Sequence, residues 1–299
     1  MSTATRRNLV AVRAGRNSLH PMWLEGVGER NWDLIVSVYD PEAQFVPHDD
    51  VRMVMKRGGK WDGLYALFAD GDLLSRYEYI WLPDDDIAAT KHDVNAIFDA
   101  MRRYGLEVAQ PALTRDSYFS HFLVLQCPEF ALRCSNFVEI MVPCVTAGLL
   151  TKVLDDFRES ESGFGMDFIW TRLAEEPRYK AAILDLVAVR HTRPVGKFLR
   201  GKMAERGQSP EADREGLNAR YGVRGRAMPL VYAAVDAEGR RVDGCARLGW
   251  KMARRYLAVI REFDKRSLAL EKIWQLIRRQ RGAALDLSPL RATEDRNSI

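Results

Sequence analysis

Read from the amino end, the chain alternates short apolar runs rich in β-branched and aromatic residues with longer stretches in which apolar residues recur every three or four positions. The short runs predict strands at Asn8–Ala14, Leu34–Tyr39, Val51–Met55, Tyr77–Leu82, His121–Gln126, Phe137–Val142 and Val187–His191. Trp61, Leu64, Tyr65 and Phe68 fall at i, i+3, i+4 and i+7, as do Val94, Ile97, Phe98 and Met101, so each set lines one face of a helix. Thr90 and Asp93 precede the second set at capping-box spacing, which supplies partners for the first amides of that helix. Met166, Ile169, Trp170 and Leu173 repeat the pattern. Strands interleaved with helices predict a layered α/β fold around a largely parallel sheet.

After Gly196 the character changes. Residues 201–226 are polar and rich in Gly and Arg; Leu230–Val235 and Arg240–Val242 then flank an acidic, glycine-containing turn, and two amphipathic helices follow. Leu270, Ile273, Trp274 and Ile277 are expected to form the apolar stripe of the last helix. The chain is therefore read as a body, residues 1–200, and an extension, residues 201–299, made of a hairpin and basic helices, with 287–299 expected to fray.

Composition sharpens this picture. The chain has 299 residues, 47% of them hydrophobic, enough for a full core. No run approaches the ~18 consecutive apolar residues of a membrane span, and no leader pattern is present. Cys127, Cys134, Cys144 and Cys245 show neither CxxC spacing nor the density of a disulfide scaffold, so reduced thiols in a cytoplasm are expected. The net charge of +4 is unevenly spread: residues 240–282 hold 13 Lys or Arg against 4 Asp or Glu, a local +9 that leaves −5 elsewhere. The basic tail carries no recognised nucleic-acid-binding motif and the body is mildly acidic, so no nucleic-acid partner is expected. The basic helices, with Trp250 and Trp274, suit peripheral contact with the anionic inner face of a membrane.

The chemistry concentrates in Tyr79-Ile80-Trp81-Leu82-Pro83-Asp84-Asp85-Asp86, an apolar strand that runs into three consecutive acids. Open α/β sheets bind ligands at the carboxyl ends of their strands. If the backbone stays extended, Asp84 and Asp86 project to one side and Asp85 to the other. Two converging carboxylates repel unless a cation lies between them, and hard oxygen ligands suit magnesium or manganese together with a substrate diphosphate. Three acids after a strand also fit a solvated turn that caps the next helix. Asp167 stands in the first turn of an apolar helix after Gly163 and Gly165, where it either serves the chemistry or complements the helix dipole. His191 ends a strand, as a metal ligand or as a structural imidazole.

With these residues in hand, the chain resembles domain of unknown function family 707, found in plants and bacteria and grouped with GT-A glycosyltransferases. The matching runs are Tyr79–Ile87, Gly105–Leu113, Phe137–Pro143, Gly163–Phe168 and His191–Gly196, within residues 8–200. The resemblance implies a Rossmann-like, three-layer GT-A fold and transfer of a sugar from a nucleotide diphosphate-sugar to a glycan, lipid or envelope-precursor hydroxyl. It implies that Asp84 and Asp86 bridge manganese or magnesium and the donor diphosphate, with Asp85 beside them, and that His191 is the third metal ligand. Asp167 then looks like the acceptor-side base, with Glu139 as a second candidate for acceptor contact or, alternatively, a strand-edge charge. Asp40 falls where such proteins hold the nucleobase, and Lys60 either meets a phosphate or is solvated. Two other readings stay open. A metal-dependent nucleotidyltransferase would use Arg13-Ala14-Gly15-Arg16-Asn17-Ser18 as a phosphate loop, and a non-catalytic nucleotide-sugar or glycan-binding protein would carry a degenerate site.

Overall fold

The computed structural model describes residues 6–225 and 227–291. Its strands are β1 (Asn8–Ala14), β2 (Trp32–Val38), β3 (Val51–Met55), β4 (Tyr79–Trp81), β5 (Ile87–Ala88), β6 (Val108–Leu113), β7 (Phe130–Ser135), β8 (Cys144–Thr146), β9 (Ala181–His191), β10 (Val231–Asp236) and β11 (Arg241–Asp243). One sheet runs in the order β11-β10-β7-β9-β6-β8-β4-β1-β2-β3, with β5 paired to the end of β9. Strands β3, β2, β1 and β4 are mutually parallel, and so are β6 and β9. Strand β8 is inserted antiparallel between β4 and β6, while β7, β10 and β11 continue antiparallel beyond β9. The fold is thus α/β with a mixed central sheet, mostly parallel in its core.

Strand β1 explains the layering. All seven of its residues are buried, but its alternate side chains serve opposite faces. Leu9 and Ala11 join one apolar cluster, with Trp61, Leu64 and Phe68 of helix Lys60–Phe68, Leu150 and Val153 of Ala147–Glu159, and Ile169 and Trp170 of Met166–Leu173. Val10, Val12 and Ala14 join the other, with Ile97, Phe98 and Met101 of Lys91–Tyr104, Leu248 and Met252 of Cys245–Ala258, and Ile273 and Leu276 of Arg266–Gly282. A parallel strand covered on both faces needs apolar residues at every position, and this one has them apart from Asn8 and Arg13. The helix Lys91–Tyr104 starts at the expected capping box of Thr90 and Asp93 and stops at Gly105, which is left-handed at φ 59°.

Several expectations need correction. His121–Gln126 is not a strand: it holds the 3-10 turn Phe122–Val124. Phe137–Val142 is a buried loop, because its amides bond outside any ladder: Val138 N donates to Asp167 O (3.0 Å), Glu139 N to the Gln110 side chain (2.7 Å) and Ile140 N to the Asp167 carboxylate (3.0 Å). The sheet instead recruits β6, β7 and β8, whose Gln110, Pro111 and Arg133 break an apolar pattern. In the last helix the inward residues are Ala269, Ile273, Leu276 and Gln280, whereas Leu270 and Trp274 are 49% and 59% exposed, so the expected stripe is rotated outward. The hairpin β10–β11 pairs with β7 and so completes the same sheet.

A fully buried ion pair joins these layers. Asp185 of β9 accepts from Arg133 Nε (2.6 Å) and Nη2 (2.8 Å) and from Cys127 N (2.7 Å). Arg133 spends its remaining donors on the carbonyls of Leu123 (2.6 Å) and Leu125 (2.9 Å), and Nη1 also approaches the Met252 sulfur (3.1 Å). Both side chains are 0% exposed. Such a pair is tolerated because every donor and acceptor is satisfied, and removing one partner leaves a charge without water or counterion. Asp185→Ala is therefore expected to lose about 3–5 kcal/mol in urea unfolding, whereas replacing both residues with apolar ones of similar volume should lose much less. Equal losses in the two variants would contradict this assignment.

Candidate active site

Beyond β4 the chain stays bonded to its neighbour as far as Asp84, with Leu82 N donating to Pro143 O and Asp84 N to Met141 O, each at 2.8 Å, and it then turns at Asp85–Asp86 before β5 begins. Asp84 and Asp86 face one way. Strand β9 brings His191 to them, because the pairing of β5 with β9 sets His191 opposite Ile87, the residue after Asp86. One ligand atom from each of Asp84, Asp86 and His191 lies within 4.8 Å of the others. Ligands across a magnesium-sized ion stand about 4 Å apart, so the three need only a small adjustment to share one.

The bonding of these groups fits a hard divalent cation. His191 Nδ1 lies 2.8 Å from the carbonyl of Tyr118, which only accepts, so Nδ1 carries the proton and Nε2 is left to ligate. Nε2 is 3.2 Å from Asp86 Oδ2, and Asp86 Oδ1 is buried with no partner among the described residues. Burial disfavours the imidazolium, but the hydrogen bond and charge of Asp86 outweigh it and raise the His191 pKa. The Asp84 side chain is 31% exposed, and it lines the cleft. Poor solvation there, reinforced by Asp86, holds its carboxyl above the usual range despite Lys60. The Lys60 ammonium donates to Asp84 Oδ1 (2.5 Å) and to Ile140 O (2.7 Å).

Asp85 turns the other way. It accepts from Gly15 N (2.8 Å), from the Tyr39 hydroxyl (3.3 Å) and from Arg193 Nη1 (2.9 Å). A Cβ at position 15 would stand 2.4 Å from the Tyr39 hydroxyl oxygen, so a larger residue there would displace Tyr39 from Asp85. The loop after β1 is thus fastened to the acidic run. Its cations are committed to the protein: Arg13 is buried against Ser37, Gly58 and Gly59, and Arg16 pairs with Asp40 (2.7 Å) and Glu42 (2.7 Å). Asp40 stands off the cleft wall and is tied to it by its pair with Arg16 of that loop.

Glu139 and Asp167 line the same cleft as the acidic run, which has a volume of about 2040 Å³. Small-ligand sites measure about 300–1,000 Å³, so the space exceeds what one small ligand needs. Glu139 is 1% exposed; Ser120 N donates to its Oε1 at 3.1 Å, the Ser120 hydroxyl reaches the same oxygen, and Oε2 is buried without a partner among the described residues. Burial pushes its pKa up to about 7 against those hydrogen bonds. Asp167 is half-buried, with Oδ1 fixed by Ile140 N. Its surroundings of low polarity, then the charge of Glu139, raise its pKa to about 7. Two carboxyls poised near neutrality in one cleft can exchange protons with a substrate.

Sequence reasoning missed Tyr39, Tyr118 and Ser120, which act through a hydroxyl or a carbonyl that no spacing reveals. Arg193 had a signal, since it follows His191 by two residues at a strand end. Residues 47–127 match the family model for DUF707, a protein family of unknown function; the matched stretch contains the acidic run but not His191. No curated protein matches the chain. Among solved structures, the chain is similar to the mannosyltransferase PcManGT from Pyrobaculum calidifontis in complex with GDP-Man and Mn2+, at 13% identity and a TM-score of 0.47 over 94% of this chain and 76% of that one. It is also similar to TarS residues 1–349 from S. aureus, at 10% identity and a TM-score of 0.39, covering 61% of this chain and 59% of that one. The same protein in complex with UDP matches at 11% identity and a TM-score of 0.39.

The raised carboxyls have a consequence for stability. The folded protein holds the Asp167 and Glu139 protons up to about pH 7, whereas an unfolded chain releases them near pH 4. Folding therefore takes up protons in that window, and the stabilisation present below pH 4 is lost as pH rises toward 7. Urea unfolding in chelator at pH 5 and pH 8 should show a smaller loss for Asp167→Asn than for the parent. An identical loss would contradict the raised Asp167 pKa.

Proposed function

We propose that the protein is a metal-dependent glycosyltransferase of GT-A type, moving a sugar from a nucleotide diphosphate-sugar to a hydroxyl acceptor. The observation that carries this reading is the convergence of Asp84, Asp86 and His191 beside two carboxyls of near-neutral pKa in one cleft. Manganese or magnesium held by those three residues would neutralise the charge that grows on the departing diphosphate. Lys60, beside Asp84, adds a cation on the same side. Asp85 fixes the walls of the donor site through Gly15, Tyr39 and Arg193, and Asp40 braces the nucleobase end through Arg16.

Asp167 takes the proton of the acceptor hydroxyl. One of its oxygens is immobilised by Ile140 N, it is open to the cleft, and a pKa near 7 suits a base at neutral pH. A base on the acceptor side favours inversion at the sugar carbon. Glu139 is the second candidate, more enclosed and held by Ser120. The nucleotidyltransferase reading loses support because Arg13 and Arg16 are engaged by protein acceptors, and a degenerate binding site would have no use for two carboxyls tuned near neutrality.

In this reading residues 1–200 bind the donor and perform the chemistry, while residues 201–299 furnish the facing wall, including Arg214, Arg224 and Arg279. The exposed Trp250 and Trp274, among basic residues, suit contact with an anionic membrane surface. Among the described residues no helix is long and apolar enough to cross a membrane.

Calorimetric titration with GDP- and UDP-sugars is expected to show binding that depends on manganese and is lost in Asp84→Asn and Asp86→Asn, since an amide supplies no charge to balance the ion. Asp167→Asn should keep donor binding and lower transfer by about 100-fold or more, as for loss of a general base. Donor binding undiminished in chelator would sink the metal-bridged site, and full transfer by Asp167→Asn would move the base to Glu139.

A further inference from the structure

One wall of the cleft is basic in a way the proposed donor chemistry does not use. Arginines from four separate segments line it: Arg172 from the helix that carries Asp167, Arg214 from helix Pro210–Arg220, Arg224 from the loop that follows, and Arg279 from the last long helix. Arg172 is already bound, to Asp286 (3.0 Å) and to Ser288 O (2.8 Å). Arg206 on the same wall is ion-paired with Glu161. Arg214, Arg224 and Arg279 have no carboxylate within ion-pair reach among the described residues. Against these three stands Glu205, the carboxylate of that wall likewise without an ion pair among the described residues.

The placement is specific. Arg214 lies over the start of the Asp167 helix, where a Cβ on Gly165 would stand 3.1 Å from its Cγ, and Gly165 is left-handed at φ 99°. A side chain at position 165 would therefore crowd Arg214 and Leu217, besides being strained at that φ. Like charges gathered in a cleft repel unless a ligand of opposite charge resides among them, and guanidinium forks match the oxygens of phosphate in paired hydrogen bonds. The donor diphosphate already has Lys60 and the Asp84–Asp86–His191 cluster to hold it.

Resting on the glycosyltransferase reading, we infer that the acceptor is a hydroxyl compound bearing a phosphate group, held by Arg214, Arg224 and Arg279 so that its hydroxyl meets Asp167. The surplus charge selects anionic acceptors over neutral glycans, and it holds them at the Asp167 end of the cleft. The phosphate can belong to a small polyol phosphate or to a phospholipid headgroup, which share this chemistry.

The test uses the full chain and three probes in calorimetry: inorganic phosphate, glycerol 3-phosphate, and a short-chain phosphatidylglycerol kept below its micelle concentration. Binding of glycerol 3-phosphate or of the lipid should weaken with salt and fall about tenfold or more in the Arg214→Gln, Arg224→Gln, Arg279→Gln triple variant. Manganese-dependent binding of the nucleotide diphosphate should be unchanged there. Binding of the lipid alone would assign the site to a headgroup, and binding of both to any phosphate-bearing polyol. No binding of any probe by the parent, or an equal affinity in the variant, would overturn the inference, as would loss of nucleotide binding instead of probe binding. Should the triple variant not fold, Arg214→Gln alone is expected to weaken the same probes measurably, and unchanged affinity would count against the inference. Failure of the underlying reading shows separately, as absence of metal-dependent nucleotide binding while phosphate probes still bind.

Discussion

The ion pair between Arg133 and Asp185 is the constraint on which the site depends. Strand β9 pairs with β6 up to Leu184 opposite Pro111 and resumes with Ala188 opposite Ala112, so Asp185, Leu186 and Val187 are extra residues on one side of the ladder. An insertion of this size inside a sheet leaves amides without partners and invites slippage. Here the Asp185 carboxylate folds onto Arg133, Cys127 N reaches that carboxylate, and Gln126 donates to the Asp185 carbonyl at 2.8 Å. The irregularity is thereby pinned in one register. Beyond it β9 meets β5, and His191 arrives beside Asp86. A shift of one residue would turn His191 to the other face of the strand.

The same low-polarity interior sets the character of the candidate site. Asp84, Asp85, Asp86, Glu139 and Asp167 crowd one cleft, and each poorly solvated charge costs more than it would at the surface. The protein answers with different partners on different sides. Arg193 and the Gly15 amide satisfy Asp85, Lys60 satisfies one oxygen of Asp84, and His191 faces Asp86. Glu139 and Asp167 receive hydrogen bonds and form no ion pair among the described residues, and burial raises their pKa values to about 7. In the proposed function this division into paired and unpaired acids would separate ion binding from proton transfer within one cleft.

Much of this was legible in the chain before any coordinates. Strands β1 and β3 end where their apolar runs end, and the helix Lys91–Tyr104 opens at its Thr90–Asp93 box. Those bounds rest on local rules, the period of a strand and the spacing of a cap, that hold wherever the segment lies. Asp84 and Asp86 do meet on one side with Asp85 on the other, but through a turn at Asp85–Asp86 instead of the extended backbone that the alternation supposed. Sequence also drew attention to His191 as the end of an apolar strand.

What the fold alone decided are matters of long-range pairing. Phe137–Val142 has the composition of a strand, yet side chains of Gln110 and Asp167 claim its amides first, and Arg133 looks out of place in β7 until Asp185 is brought to it from 52 positions along the chain. Leu270 and Trp274 read as core residues, but packing turns the helix so that Ile273 and Leu276 face inward. The arginines of the cleft wall come from segments with no shared motif. The sequence by itself determined which segments are strands and helices at their strongest signals and which three acids would gather at a strand end. The tertiary structure decided which buried polar groups find partners, because hydrogen-bonding capacity is a property of each residue while its satisfaction depends on what the rest of the chain brings within reach.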